Sequence, residues 1–335
     1  MEKMVNRRKR LWLILPILLS FVLISMIPGS SLAQEKKTLL RLGAVPSGSG
    51  WYFWLSQTAT VINRNLPNVE ISVRETGGTR ENTIRMSKNE LEMGLTEALV
   101  AYEAYRGIGR FKGKATPDLR LLWTGATGFM HWAVARDGDI KTFEELEGKL
   151  FNPSTVGGGG EYITQKVFEV CGFKPKFYRA KLADAAEAYK DGRIAGFSYN
   201  GTLPIPIFVE AHAFRPIRLL SLREDQVKKV HEAYPFLVRT VIPAETYKGV
   251  PEAVTVGLFN YVGANKGLPD DVVYEVVKAY WKNLPEIAKA FPLVAKSKPE
   301  DMPLTATAPI HRGALKYYRE IGLKIPKEVI PPEAQ

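Results

Sequence analysis

The chain has 335 residues, more than one ordinary small domain needs and comfortable for two domains of about 100–200 residues each. At 45% hydrophobic and 24% charged, with 28 Gly and 22 Pro spread along it, it is globular and neither disordered nor fibrous. A single cysteine, Cys171, excludes an intramolecular disulfide and a thiolate metal cage, and basic residues interleaved with acids argue against nucleic acid as the partner of the +11 formal charge.

At the N-terminus, Lys3, Arg7, Arg8, Lys9 and Arg10 precede an apolar run over 11–27 and then Ser31-Leu32-Ala33. This order of charge, apolar run and small residues predicts a signal peptide over 1–33 and a mature chain from Gln34, exported to the periplasm or beyond the cytoplasm. An uncleaved anchor is the competing reading, since the run is nearly long enough to span a bilayer. Removing five basic residues and one acid from +11 leaves +7.

The mature chain then repeats one phrase. Residues 39–45 read as a strand, 46–50 as a Ser/Gly loop, and 51–65 as a helix. Residues 69–75 alternate as a strand, Thr76-Gly77-Gly78 breaks it, and Thr79 caps a helix whose third position is Asn82. Apolar strands are expected at 93–96, 119–124 and 130–136, and a short charged helix at 140–148. The phrase returns with a strand at 149–152, a Gly-rich turn over 153–160, and a helix over 161–170 that stops at Cys171-Gly172. A helix over 183–191, strands over 194–199 and 254–264, and a helix over 269–283 complete the pattern. Strands alternating with helices predict an α/β fold with a mostly parallel sheet, and the repetition suggests two similar lobes. The long apolar runs at 130–136 and 254–264 are the expected crossings between lobes. The expected bounds are 34–130 for the first part of lobe 1, 131–253 for lobe 2, and 254–335 for the hinge strand and return.

A strand, a Gly/Ser/Thr loop and a helix N-terminus together make an anion seat, because the first backbone N–H groups of a helix are unpaired and carry partial positive charge. Three such seats facing one another would line a single cleft. They place Ser47, Ser49, Thr76, Gly77, Gly78, Gly158, Gly159 and Gly160 among the candidate ligand-binding residues. Trp51 and Tyr52, beside the first loop, are either a core face or a stacking platform. Signatures of catalysis are poor: no nucleophile elbow, P-loop or dinucleotide fingerprint is present, and the four histidines have no metal-ligand spacing. Only His131 is retained as a candidate, at the mouth of a strand expected to join the lobes. No cofactor and no metal are expected.

The order V-P-S-G-S-G-W-Y-F, E-T-G-G-T-R-E-N, A-Y-E-A-Y-R-G, H-W-A-V-A-R, G-G-G-G-E and F-S-Y-N-G-T-L-P resembles the TAXI family, the TRAP-associated extracytoplasmic solute receptors. The resemblance covers nearly the whole mature chain. It implies a two-lobed periplasmic binding protein of type II, without catalytic activity, closing on a small organic acid or amino acid and delivering it to an ion-driven TRAP permease. It adds Tyr199 and Asn200, in the last of these segments, to the candidates. Two departures bear on the ligand: Glu97-Ala98-Leu99 stands where the family has Gln-Ser-Asp, and Gly157-Gly158-Gly159-Gly160-Glu161 where it has G-S-G-T-E. Hydroxyl donors are lost and a carboxylate, Glu97, is gained, which points away from plain glutamate. Glu97 either faces the cleft or turns to solvent or a nearby arginine. The alternatives are a receptor for an ATP-driven importer and a secreted α/β enzyme using Glu97 or His131 as a base.

Overall fold

The computed structural model describes residues 37–335 except Gly48, so the leader expected over 1–33 lies outside the described residues. Strand β1 (Thr38–Gly43) leads through the Ser/Gly loop into α1 (Gly50–Asn65). This helix buries Trp51, Trp54, Leu55, Thr58, Val61 and Ile62, the i, i+3, i+4, i+7 stripe of an amphipathic helix. Next come β2 (Val69–Arg74), α2 (Thr79–Ser87), β3 (Met93–Glu97) and α3 (Ala98–Arg106). Thr79 lies inside α2, not at its cap. The cap is Gly78 at φ 132°, a backbone conformation that a β-carbon makes costly.

The strands expected at 119–124 and 130–136 are one, β4 (Leu119–Ala135). Gly125 lets it pass beneath Trp54, whose ring would lie 2.2 Å from a β-carbon there. The helix expected over 140–148 does not form. The Glu145 carboxylate takes the N–H groups of Lys141 and Thr142, leaving a single tight turn at Glu144–Leu146 before Gly148 at φ 69°. Then follow β5 (Leu150–Asn152), α4 (Gly159–Cys171), β6 (Lys176–Phe177), α5 (Leu182–Lys190), β7 (Gly196–Gly201), α6 (Pro206–Phe214), β8 (Ile217–Leu219) and α7 (Glu224–Ala233). The chain ends through β9 (Val238–Ile242), β10 (Ala253–Asn265), α8 (Asp270–Lys282), α9 (Leu284–Ala290), α10 (Asp301–Thr305) and α11 (Arg312–Glu320).

The described strands form one sheet in the order β2-β1-β3-β10-β4-β7-β5-β6, with β8 on β4 and β9 on β10. The fold is α/β, but the sheet is mixed, which corrects the expectation of a mostly parallel one. Parallel pairs occupy its ends, β2-β1-β3 and β7-β5-β6, where helices make the crossovers. Its middle is antiparallel, because β10 returns between β3 and β4 with its register Asn260↔Glu97 and Tyr261↔Thr124. The order 2-1-3 at one end is echoed by 6-5-7 at the other, each with a helix leaving its central strand through a glycine loop. Strands β4 and β10 belong to both groups.

A salt bridge secures the C-terminal segment to the start of β4. Arg120, 2% exposed, donates to both carboxylate oxygens of Glu333 at 2.7 Å. The charge-assisted pairing holds Glu333 down at about 2.

Candidate functional site

Four helices begin around one cavity of about 270 Å³. Ser49 and Trp51 line it from α1, Gly77 to Glu81 from α2, Glu97 from the junction of β3 and α3, and Gly157 to Gly160 from α4. Tyr199 and Asn200 on β7 and Asn260 on β10 add to its wall. Converging helix N-termini give the enclosed space a positive potential.

Each glycine loop has its own internal support. Gly77 N–H donates to Glu81 Oε2 at 2.8 Å and Gly157 N–H to Glu161 Oε2 at 2.7 Å. Those two amides are therefore taken by the chain itself. Glu161 in turn accepts from Arg179 at 2.7 Å. The Thr76 hydroxyl donates to Ala44 O at 2.8 Å and accepts from Gly78 N–H at 3.3 Å, so Thr76 fastens its loop to the end of β1 from beneath.

Ten of the candidate residues line the cavity: Ser49, Trp51, Gly77, Gly78, Glu97, Gly158, Gly159, Gly160, Tyr199 and Asn200. Four do not. Ser47 is exposed outside it, and Thr76 is buried under it. Tyr52 is turned about 100° around α1 from Trp51 and packs on the core, its N–H bonded to Ser49 Oγ. His131 is fully buried, stacked on Phe208 at 5.1 Å, with Nδ1 at 3.0 Å from Phe129 O and Nε2 at 3.0 Å from the Tyr247 hydroxyl. Burial lowers it to about 4, so it is a neutral core residue and no base for the cavity. Trp51 packs edge-on against Trp54 at 6.1 Å, as a core residue does, and also lines the cavity.

Sequence reasoning passed over Arg80, Arg110, Ser154 and Asn260. Arg80 stands inside the T-G-G-T-R-E segment, and Asn260 is the one amide in the apolar run over 254–264, so both carry a local signal. Arg110 had none: it reaches the cavity from the turn after α3, where its Nε donates to Glu103 at 3.1 Å and its guanidinium stacks on Tyr162 of α4 at 4.5 Å.

Glu97 faces the cavity and is 5% exposed. Its Oε1 has no hydrogen-bond partner, and it lies so close to the start of α4 that a β-carbon at Gly159 would sit 2.3 Å from it. Burial raises its pKa and nearby Glu103 adds to this, while Arg110 opposes it. Arg110 Nη2 is likewise buried and unpartnered. Among the described residues no group of three or more His, Cys, Asp or Glu gathers to hold a metal ion.

The model of the NMT1-like family matches residues 42–322. Among solved structures, the chain is similar to XAC2383 from Xanthomonas citri bound to ATP, with a TM-score of 0.50 and 9% identity over 85% of this chain and 96% of that one. Against the periplasmic aliphatic sulphonate binding protein SsuA from Escherichia coli, the TM-score is 0.45 at 16% identity, covering 88% and 91%. A TctC solute binding protein from Polaromonas gives 0.48 at 13%, covering 76% and 88%. At 9% identity the likeness to XAC2383 is one of fold alone.

Proposed function

The chain belongs to the NMT1-like family, and from that premise we propose that it is an extracytoplasmic solute receptor that captures a small organic acid and passes it to a membrane permease. One observation carries the choice of ligand. Arg110 Nη2 and Glu97 Oε1 are both buried in the wall of the same cavity, both lack partners, and no ion pair joins them. A buried donor and a buried acceptor left unmade cost free energy that a bridging molecule recovers. The bridging molecule has an acid group for Arg110 and a hydroxyl, ammonium or amide donor for Glu97. Arg80 at the cavity rim, with no ion-pair partner among the described residues, adds a second positive charge toward the acid end. A TRAP-type permease is the partner favoured by the TAXI-like segments, and closure about β4 and β10, the strands common to both ends of the sheet, is the motion that would enclose the solute.

The test is calorimetry and thermal shift with L-malate, succinate, L-glutamate and L-glutamine, with each mixture followed for product. Tight binding of a donor-bearing acid over succinate, without turnover, is the expected result. Product formation, or binding indifferent to the donor group, overturns the reading.

A further inference from the structure

The Gly-rich loop over 153–160 contains a residue whose backbone is harder to explain than its glycines. Three described residues other than glycine have positive φ. Asn89 at 56° and Glu245 at 62° are exposed and fall in the ordinary left-handed well. Ser154 is at φ 108°, outside that well, and is 1% exposed. A β-carbon is strained there, and glycine would relieve it. The same loop uses glycine at four consecutive positions from Gly157, so glycine is within easy reach of its chemistry, yet position 154 carries a side chain.

The surroundings hold that serine in place. Its N–H donates to Asn152 Oδ1 at 3.0 Å, and fully buried Asn152 is tied by Nδ2 to Tyr178 O at 2.9 Å. Ser154 Oγ lies over the first turn of α4, where a β-carbon on Gly160 would be 2.6 Å from it. Gly160 is thus small because the hydroxyl sits there. The same stretch of wall carries the unpartnered Glu97 Oε1 against Gly159, whereas the Asn200 side-chain amide lies against Gly128 of β4. Two oxygen-bearing side chains from distant parts of the chain, Ser154 and Glu97, therefore meet at the α4 end of the cavity.

We propose that Ser154 is a ligand-binding residue, held in a strained backbone so that its hydroxyl, with Glu97, recognises the donor-bearing end of the solute. This rests on the receptor reading above and goes further by assigning which end of the molecule lies against α4. Strain kept for binding has a signature that ordinary packing lacks: relieving it improves stability and harms affinity together.

The experiment compares Ser154→Gly and Ser154→Ala with the wild type by melting and by calorimetry against L-malate, L-glutamate, L-glutamine and succinate. The glycine variant loses both strain and hydroxyl, and the alanine variant loses the hydroxyl alone. The expected result is that Ser154→Gly melts above Ser154→Ala, and that both bind the preferred donor-bearing acid about tenfold more weakly, with succinate little changed. Unchanged affinity in both variants overturns the assignment, whatever their melting temperatures. Equal losses for succinate and the donor-bearing acids overturn the orientation, and a glycine variant that melts no higher than the alanine variant overturns the role of strain. A wild type that binds none of the four acids overturns the receptor reading itself, and this assignment with it.

Discussion

Replacing Arg110 by Met should damage stability and binding through two different atoms. Arg110 Nε is bonded to Glu103, whose side chain is 4% exposed, so removing the guanidinium strands a buried carboxylate. Breaking a buried pair from one side costs about 3–5 kcal/mol. Here the Arg110 side chain is 17% exposed, so solvent screens part of the pair and the cost comes to about 2–3 kcal/mol. At about 2–4 °C per kcal/mol for a chain of this size, melting should fall by roughly 5–10 °C. Arg110 Nη2 is the donor left without a partner in the cavity wall, and losing a charged hydrogen bond from it to the proposed ligand costs about 1.5–3 kcal/mol, an affinity loss of about 10- to 150-fold. Arg110→Met/Glu103→Gln separates the two effects, because it removes the stranded charge and leaves the ligand unanchored. Scanning calorimetry and titration calorimetry on both variants should show melting largely recovered in the double variant and affinity still lost. Wild-type affinity in the double variant, or wild-type melting in Arg110→Met, refutes the reasoning.

Gly159→Ala puts a β-carbon 2.3 Å from Glu97 Oε1, so titration should show affinity falling by about tenfold or more while melting holds, and Glu97→Ala in the same chain should remove the clash. Glu97→Gln keeps the shape but removes the charge, and should lower affinity for the donor-bearing acid by about 1–3 kcal/mol, a loss that calorimetry reads directly. His131→Leu should lower melting and leave affinity unchanged, because the imidazole binds Phe129 and Tyr247 and never reaches the cavity. Because His131 and His311 are both lowered to about 4, the unfolded chain binds more protons below its ordinary histidine value of about 6.5; stability is full above that pH and falls as pH drops toward 4, measurable as melting against pH. Glu333→Gln should lower melting by a few degrees, after about 1–2 kcal/mol once solvent screening of its partly exposed carboxylate is allowed for; in the wild type that contribution is complete above about pH 4.3 and fades as pH falls through about 2.

Local features of the chain were enough to find the glycine loops. A strand ending in Ser/Gly/Thr and followed by an amphipathic helix is a pattern of neighbours, and the units at 38–65, 69–87 and 150–171 all form where the pattern lies. Because such helices begin at the ends of the strands, the pattern also brought Ser49, Gly77, Gly78 and Gly158 to Gly160 near one another. Which atoms then face the enclosed space was decided by contacts between distant parts of the chain. Strand β10 inserts between β3 and β4 and sets Asn260 opposite Glu97, making the middle of the sheet antiparallel. Arg110 enters from a turn with no pattern of its own, and His131 is buried by Phe208 and Tyr247. Glycine loops and apolar stripes are set by the conformational preferences of adjacent residues, so the sequence by itself determined them. Burial, pairing and the orphaned oxygens of Glu97 and Asn200 exist only once segments far apart in the chain are packed together, so the tertiary structure alone decided them.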